Sequence, residues 1–208
     1  MTRVIVQPYN IVSTLLRLAE TQLIPKLRDS VAAGNLPFGA AVLTQKDLKP
    51  VTVSTNNSRD WPLLHGETNC IREFFLSPGD SRPDARASIF FSTHEPCSLC
   101  LSGIAWTGFP FVYHLFTYED TRDLLGIPGD IDILEEVFRV RAPGDSDETL
   151  RDRPLYNKRN KYFSAMSISE LIDIIPDEEE RHSLRKEAER VKSLWEPLNH
   201  VFSTRRAE

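Results

Sequence analysis

Two short segments, His65-Gly66-Glu67 and Pro96-Cys97-Ser98-Leu99-Cys100, place one imidazole, two thiols and one carboxylate in a chain of 208 residues. Imidazole nitrogen and thiolate sulfur are ligands that zinc prefers, and a structural zinc site uses four of them. His65, Cys97 and Cys100 are only three. A three-ligand site keeps a position for water, and an acid close by can carry that water's proton. The spacing therefore predicts Zn²⁺ as cofactor, His65, Cys97 and Cys100 as its ligands, and Glu67 as a catalytic proton carrier rather than a fourth ligand.

Taken alone, C-x-x-C is open to other readings: a redox pair, half of a structural zinc site, or two buried small hydrophobes. The flanking residues bear on the choice. Pro96 suits the first turn of a helix, Glu95 can cap it, and Cys97 and Cys100 then lie at i and i+3 on one face. A helix N-terminus lowers thiol pKa and favours metal ligation. A second helix is predicted to start at His65 and run through Phe75 until Ser77-Pro78-Gly79-Asp80 breaks it. Residues at i and i+2 do not share a helix face, so His65 and Glu67 can serve one pocket only if the first turn aims both around it. Cys70 is left unpaired and is expected in the core.

With these residues in view, the chain resembles the cytidine deaminase-like superfamily, in particular its guanine deaminase and tRNA adenosine deaminase branch, over about residues 35 to 140. The H-x-E and P-C-x-x-C segments are similar to that superfamily's zinc signature. Asn35-Leu36-Pro37-Phe38-Gly39-Ala40 resembles the branch's N-x-P-F-G-A, Asn56-Asn57 its substrate-binding Asn, and Thr93-His94-Glu95-Pro96-Cys97 its T-x-E-P-C. The resemblance implies Asn56 or Asn57, Phe38 and, by position in the later loop, Asp130 as substrate-binding residues. Gly66 stands where the branch usually has Ala, at a helix-propensity cost of about 1 kcal/mol. The interval from Asn56 to His65 is also slightly short, which leaves the choice between Asn56 and Asn57 open. The implied fold is α/β: a three-layer α-β-α cytidine deaminase-like fold, a mixed five-stranded sheet with helices on both faces.

The elements needed to hold these residues can be read along the chain. Ile11 to Ala33 has helical spacing interrupted by Pro25, which predicts a kink or a boundary. Phe38–Thr44 and Val51–Thr55 read as a hairpin around Gln45-Lys46-Asp47, Ser88–Ser92 as a buried strand, Cys97–Thr107 as the second metal-bearing helix and Phe111–Phe116 as a further strand. After Tyr118 the sequence turns acidic and turn-rich, with a short helix over Ile133–Val140 and a linker over 141–147. Tyr156 to Phe163 mixes bases with aromatics, and Ser169 to about Glu196 reads as helix divided at Pro176. This predicts a catalytic domain over 1–142 and a C-terminal helical extension over 143–208, packed on the core or on a partner subunit.

Composition narrows the function classes. The N-terminus lacks an apolar leader, and no apolar run approaches the roughly 20 residues of a membrane span, so a cytoplasmic protein is expected. Thirty acidic against 25 basic residues give a net charge of −5. With no basic tract, tRNA is not expected as a partner and a small nucleobase or nucleoside substrate is, with water as co-substrate. The resemblance implies hydrolytic removal of an exocyclic amino group with release of ammonia, a guanine-like aminopurine first, and a homodimer. The alternatives are a tRNA adenosine deaminase and a non-catalytic zinc-containing subunit. Glu67 speaks against the last, because a structural site has no use for it. His94 and His114 are expected as packed or exposed side chains without a role in the site, and Trp61-Pro62 as a pocket wall or a turn on the core.

Overall fold

The protein is described from a computed structural model covering residues 6–79 and 82–207; Asp80 of the expected helix break lies outside the described residues. Helix α1 (Pro8–Leu18) and helix α2 (Ile24–Ala32) are joined by a π-helical turn over Ala19–Leu23. Pro25, in the first turn of α2, has no N–H for the carbonyl four residues back, and the wider turn before it absorbs the mismatch without ending the helix. The expected apolar stripe is buried, with Val12, Leu15, Leu16, Leu23 and Leu27 all 0–1 % exposed.

Five strands form one mixed sheet in the order β2-β1-β3-β4-β5. They are β1 (Gly39–Thr44), β2 (Pro50–Thr55), β3 (Ser88–His94), β4 (Phe111–Phe116) and β5 (Ser164–Ser167). β1 runs antiparallel to β2 and β3, while β3, β4 and β5 are parallel. Helices α3 (Gly66–Leu76) and α4 (Ser98–Thr107) cover one face, packing Cys70, Phe74 and Ile104 on Ala40, Val42, Phe90 and Val112. Between β4 and β5 lie α5 (Tyr118–Leu125), α6 (Gly129–Ile133) and α7 (Asp147–Asp152); α8 (Ile168–Asp173), α9 (Glu178–Ser193) and α10 (Glu196–Ala207) follow. Residues of α1, α2, α8, α9 and α10 pack on the opposite face, against Ala41, Leu43, Ile89, Phe91, Tyr113 and Leu115. The expected three-layer α-β-α arrangement is present. β3 is buried at every position, its polar residues included, because helices lie on both sides of it.

Two expectations are corrected. The stretch after Tyr118 is not merely turn-rich: Thr117 and Asp120 cap each other's backbone N–H groups in a reciprocal box that starts α5, and the helix buries Tyr118, Thr121 and Leu125. The segment 143–208 is more than a helical extension, since it supplies β5, which pairs with β4 through Phe111↔Ser164 to His114↔Ser167. A boundary at 142/143 thus leaves the sheet drawing on both sides. Four residues of moderate apolarity gave no strand signal; β5 forms because β4 offers an open parallel edge. Among the described residues no helix is long and apolar enough to cross a membrane.

The C-terminal stretch also locks the start of β1. Trp195 is 1 % exposed, stacks edge-on against Phe116 at 5.4 Å between centroids, and donates its indole N–H to the Pro37 carbonyl at 3.1 Å. We expect Trp195→Ala to lower unfolding free energy by about 3–5 kcal/mol in a single cooperative transition. Denaturant unfolding followed by circular dichroism checks this; a small loss, or a separate early transition, would show an independent extension.

Candidate metal centre

His65 is the N-cap of α3 and Cys97 the N-cap of α4, with Cys100 one turn further on. Pro96 and Glu95 therefore precede the helix rather than start it, and no side chain caps α4. The donor atoms of His65, Cys97 and Cys100 lie within 4.8 Å of one another. Their fit to zinc can be tested geometrically. With bonds of about 2.0–2.1 Å to nitrogen and about 2.3 Å to sulfur, a tetrahedral zinc sets its N···S edges at about 3.5 Å. His65 Nδ1 is 3.4 Å from Cys97 Sγ and 3.7 Å from Cys100 Sγ. The three donors are placed as one face of that tetrahedron, and the residues fit the metal.

Both helices present unpaired N–H groups and the positive end of their dipoles to this cluster. Hydrogen bonding from Cys100, together with His65, holds the Cys97 thiol far below the usual range, while the same partnership and burial hold Cys100 above it. The hydrogen bond to Cys97 raises His65 in turn.

Glu67 sits in the first turn of α3 and is buried. The difficulty of an i, i+2 pair serving one pocket is resolved by backbone conformation. His65 is extended, at φ −65° and ψ 167°, so its ring leaves from outside the helix while Glu67 leaves from within it. One carboxylate oxygen, Oε1, accepts from the Ser92 hydroxyl at 2.7 Å, and Oε2 lies 3.4 Å from Cys100 Sγ. Burial, reinforced by the charge of Cys97, pushes the Glu67 carboxyl up to about 7. Gly66 is fixed by packing: a Cβ there would lie 2.9 Å from the Gly39 Cα, so only glycine lets α3 approach the start of β1 this closely. The departure that cost helix propensity is the one that docks the helix.

The asparagines separate. Asn57 donates its side chain to Asp60 at 2.6 Å, within its own loop. Asn56 is 1 % exposed; its Oδ1 accepts from the Ser58 N–H and hydroxyl at 3.0 and 2.8 Å, and its Nδ2 has no protein partner. A buried amide N–H₂ without an acceptor is costly unless something else takes it. Phe38 is half-buried, its carbonyl accepts from the Asn56 N–H at 2.7 Å, and its ring lies 4.5 Å from that of His94. Asp130 is half-buried in the first turn of α6; burial and the charge of Cys97 raise its carboxyl to about 6, with His65 opposing, which places it within electrostatic range of the metal ligands.

Glu95 has a different task from helix capping. It is buried, and it accepts from the Tyr156 hydroxyl at 2.7 Å and the Tyr118 N–H at 3.3 Å, with Lys158 Nζ at 3.7 Å. The basic-aromatic stretch at 156–159 thus forms one wall of a cavity of about 770 Å³ beside Glu95 and Tyr118. Trp61 is 55 % exposed on its turn instead of packing on the core. His94 stacks on Phe116 at 4.6 Å and hydrogen-bonds Thr93; Cys70 is fully buried, as expected. Ser92 escaped the sequence reading. Its signal was the period of two along β3, which puts it on the same face as Phe90, toward α3 and α4.

The sheet thus meets two helix starts that bring one imidazole and two thiols together as a possible zinc site, with a carboxylate beside them. Residues 17–115 match the family model for the cytidine and deoxycytidylate deaminase zinc-binding region. No curated protein matches the chain in sequence. Among solved structures, guanine deaminase from Nitrosomonas europaea is 17 % identical, over 91 % of this chain and 88 % of that one, with a TM-score of 0.46. Guanine deaminase from Bacillus subtilis is 21 % identical over 69 % and 98 %, with a TM-score of 0.47. A structure from a study of tRNA:A34 deaminases is 20 % identical over 45 % and 71 %, with a TM-score of 0.39.

The two packed histidines generate a pH prediction. Burial lowers both His94 and His114 to about 3, against about 6.5 in the unfolded chain. A depressed histidine pKa means that the folded state excludes a proton the unfolded state binds. Stability is therefore full above pH 6.5 and is lost as pH falls toward 3, by up to about 1.4 kcal/mol per unit for each residue. Replacing His114 by Gln should make the pH slope of unfolding free energy shallower by about one proton between pH 4 and 6. Urea titrations at several pH values measure it, and unchanged slopes would refute a neutral buried His114.

Proposed function

We propose that this deaminase acts on a small aminopurine, guanine or a guanine-like base or nucleoside first. The observation that carries the reading is the buried, unpartnered Nδ2 of Asn56 in a chain whose metal donors are flanked by a second polar group, Asp130. An amide N–H₂ donates to a ring nitrogen or carbonyl, and a carboxylate accepts from a ring N–H or amino group. Guanine offers both along its edges. A site that leaves such groups unpaired with the wrong base discriminates by about 1–3 kcal/mol for each. Phe38 would give the ring an apolar edge.

In the mechanism, His65 Nδ1 and the Cys97 and Cys100 sulfurs would hold zinc, which supplies a Lewis acid that lowers the pKa of water toward neutrality. Glu67 Oε2 would take one proton from the attacking water and deliver it to a ring nitrogen, then carry the water's second proton to the departing amine as the carbonyl forms. Asn56 would fix the ring, with Asp130 as the acceptor on another edge. Ammonia leaves and a carbonyl remains. Two acids beside the site and a net charge of −5 disfavour a polyanionic substrate such as tRNA. The homodimer belongs to this proposal too: Trp106, 90 % exposed, and Leu99, 40 % exposed, lie on α4, where a second copy would bury them. Sedimentation equilibrium should then give twice the 23.7 kDa chain mass.

Ammonia release from guanine, guanosine, adenine, cytidine and tRNA tests the substrate class. Guanine or guanosine should be turned over, and tRNA-only turnover would reject the reading. Glu67→Gln should keep one zinc per chain while turnover falls by roughly 10²–10⁴-fold. Retained turnover would remove Glu67 from the chemistry, and loss of zinc would make it a ligand.

A further inference from the structure

We infer that Ser92 is a positioning residue: by binding one oxygen of Glu67 it keeps that carboxylate out of the metal's ligand set and sets which oxygen is free to move protons. The inference rests on the proposed role of Glu67. Ser92 is 1 % exposed on β3, and its side chain shares the α3/α4 face with Phe90. Its neighbours across the sheet are Ala40 and His114, so the backbone that carries the hydroxyl is held from both sides. The hydroxyl reaches Oε1 at 2.7 Å, a normal O–H···O hydrogen-bond length, and Oε2 then faces the metal side, 3.4 Å from Cys100 Sγ.

The need for such a restraint follows from ligand chemistry. A carboxylate is itself a zinc ligand, and the terminal torsion of glutamate is broad, so a buried Glu67 beside three donors is free to swing into the open fourth position. Four protein ligands would make the site structural. One hydrogen bond from a rigid strand prevents this by occupying Oε1 and fixing the plane of the group. It also divides the two oxygens: Oε1 is tethered, Oε2 is the one that can exchange protons with water and substrate.

The test uses the zinc-loaded full chain as wild type, Ser92→Ala, Ser92→Thr, Glu67→Gln and the double variant Ser92→Ala/Glu67→Gln. Crystal structures are the first readout. In the wild type Ser92 should hold Oε1; in Ser92→Ala the carboxylate should rotate, toward or onto the metal; in Ser92→Thr it should return. A carboxylate unmoved in Ser92→Ala, or a zinc-loaded wild type with Ser92 turned away, overturns the inference whatever the substrate is. The second readout is guanine deamination. Ser92→Ala should lower kcat roughly 10–100-fold with KM nearly unchanged, and Ser92→Thr should restore most of it. In the Glu67→Gln background, loss of the hydroxyl should have no further effect; a persisting loss there would show that Ser92 acts by another route. A fully active Glu67→Gln instead rejects the proton-carrier reading, and the crystal structures then decide the restraint by themselves.

Discussion

Three donor atoms from two helices more than 30 positions apart in sequence must arrive at one point, and the approach of α3 to the start of β1 is the contact that brings them there. Gly66 lies against Gly39 so closely that a single methyl would push the helix away. The same contact places the extended His65 at the cap and Glu67 one step inside the first turn. Across β3, the N-terminus of α4 delivers both sulfurs, because a parallel β3-α4-β4 crossover must begin its helix at the strand's C-terminal end. The sheet is the ruler that sets the separation of the two helix starts. Their dipoles then favour the thiolate charge that a metal requires.

Charge is rationed around this point. The interior next to the ligands keeps its histidines neutral: His94 is stacked on Phe116, and His114 lies with both ring nitrogens unpaired, 3.7 Å from Glu95. Glu95, immediately before the Pro-Cys pair, is engaged on its far side by Tyr118, Tyr156 and Lys158. This ties the loop leading into α4 to the part of the chain after residue 143. The Trp195 bond to Pro37 does the same for the loop leading into β1. Both metal-bearing loops are thereby anchored by residues far away in sequence, and the C-terminal stretch is a working part of the site's scaffold.

Much of this could be read from residues alone. The candidate metal donors followed from residue types and their order, the long helices from apolar periodicity, β3 and β4 from short apolar runs, and the break before α9 from Pro176. Less legible were elements whose cause lies elsewhere in the molecule. β5 has only four residues and exists because β4 has a free edge to pair with. α5 depends on a capping box hidden in an acidic stretch. Glu95 suited a helix cap by position, yet tyrosines from two later segments claim its carboxylate.

Sequence by itself determined which atoms can bind a metal, since that depends only on the chemistry of imidazole and thiolate, and it determined the helical and strand periods that organise burial. The tertiary structure decided how those atoms are used. It left the buried Asn56 amide without a partner while tying Asn57 to Asp60, made Gly66 a packing requirement instead of a propensity loss, and put the Ser92 hydroxyl on one oxygen of Glu67. These choices turn on distances of a few ångströms between residues remote in the chain, and no local pattern encodes a distance that the packing of helices on a sheet sets.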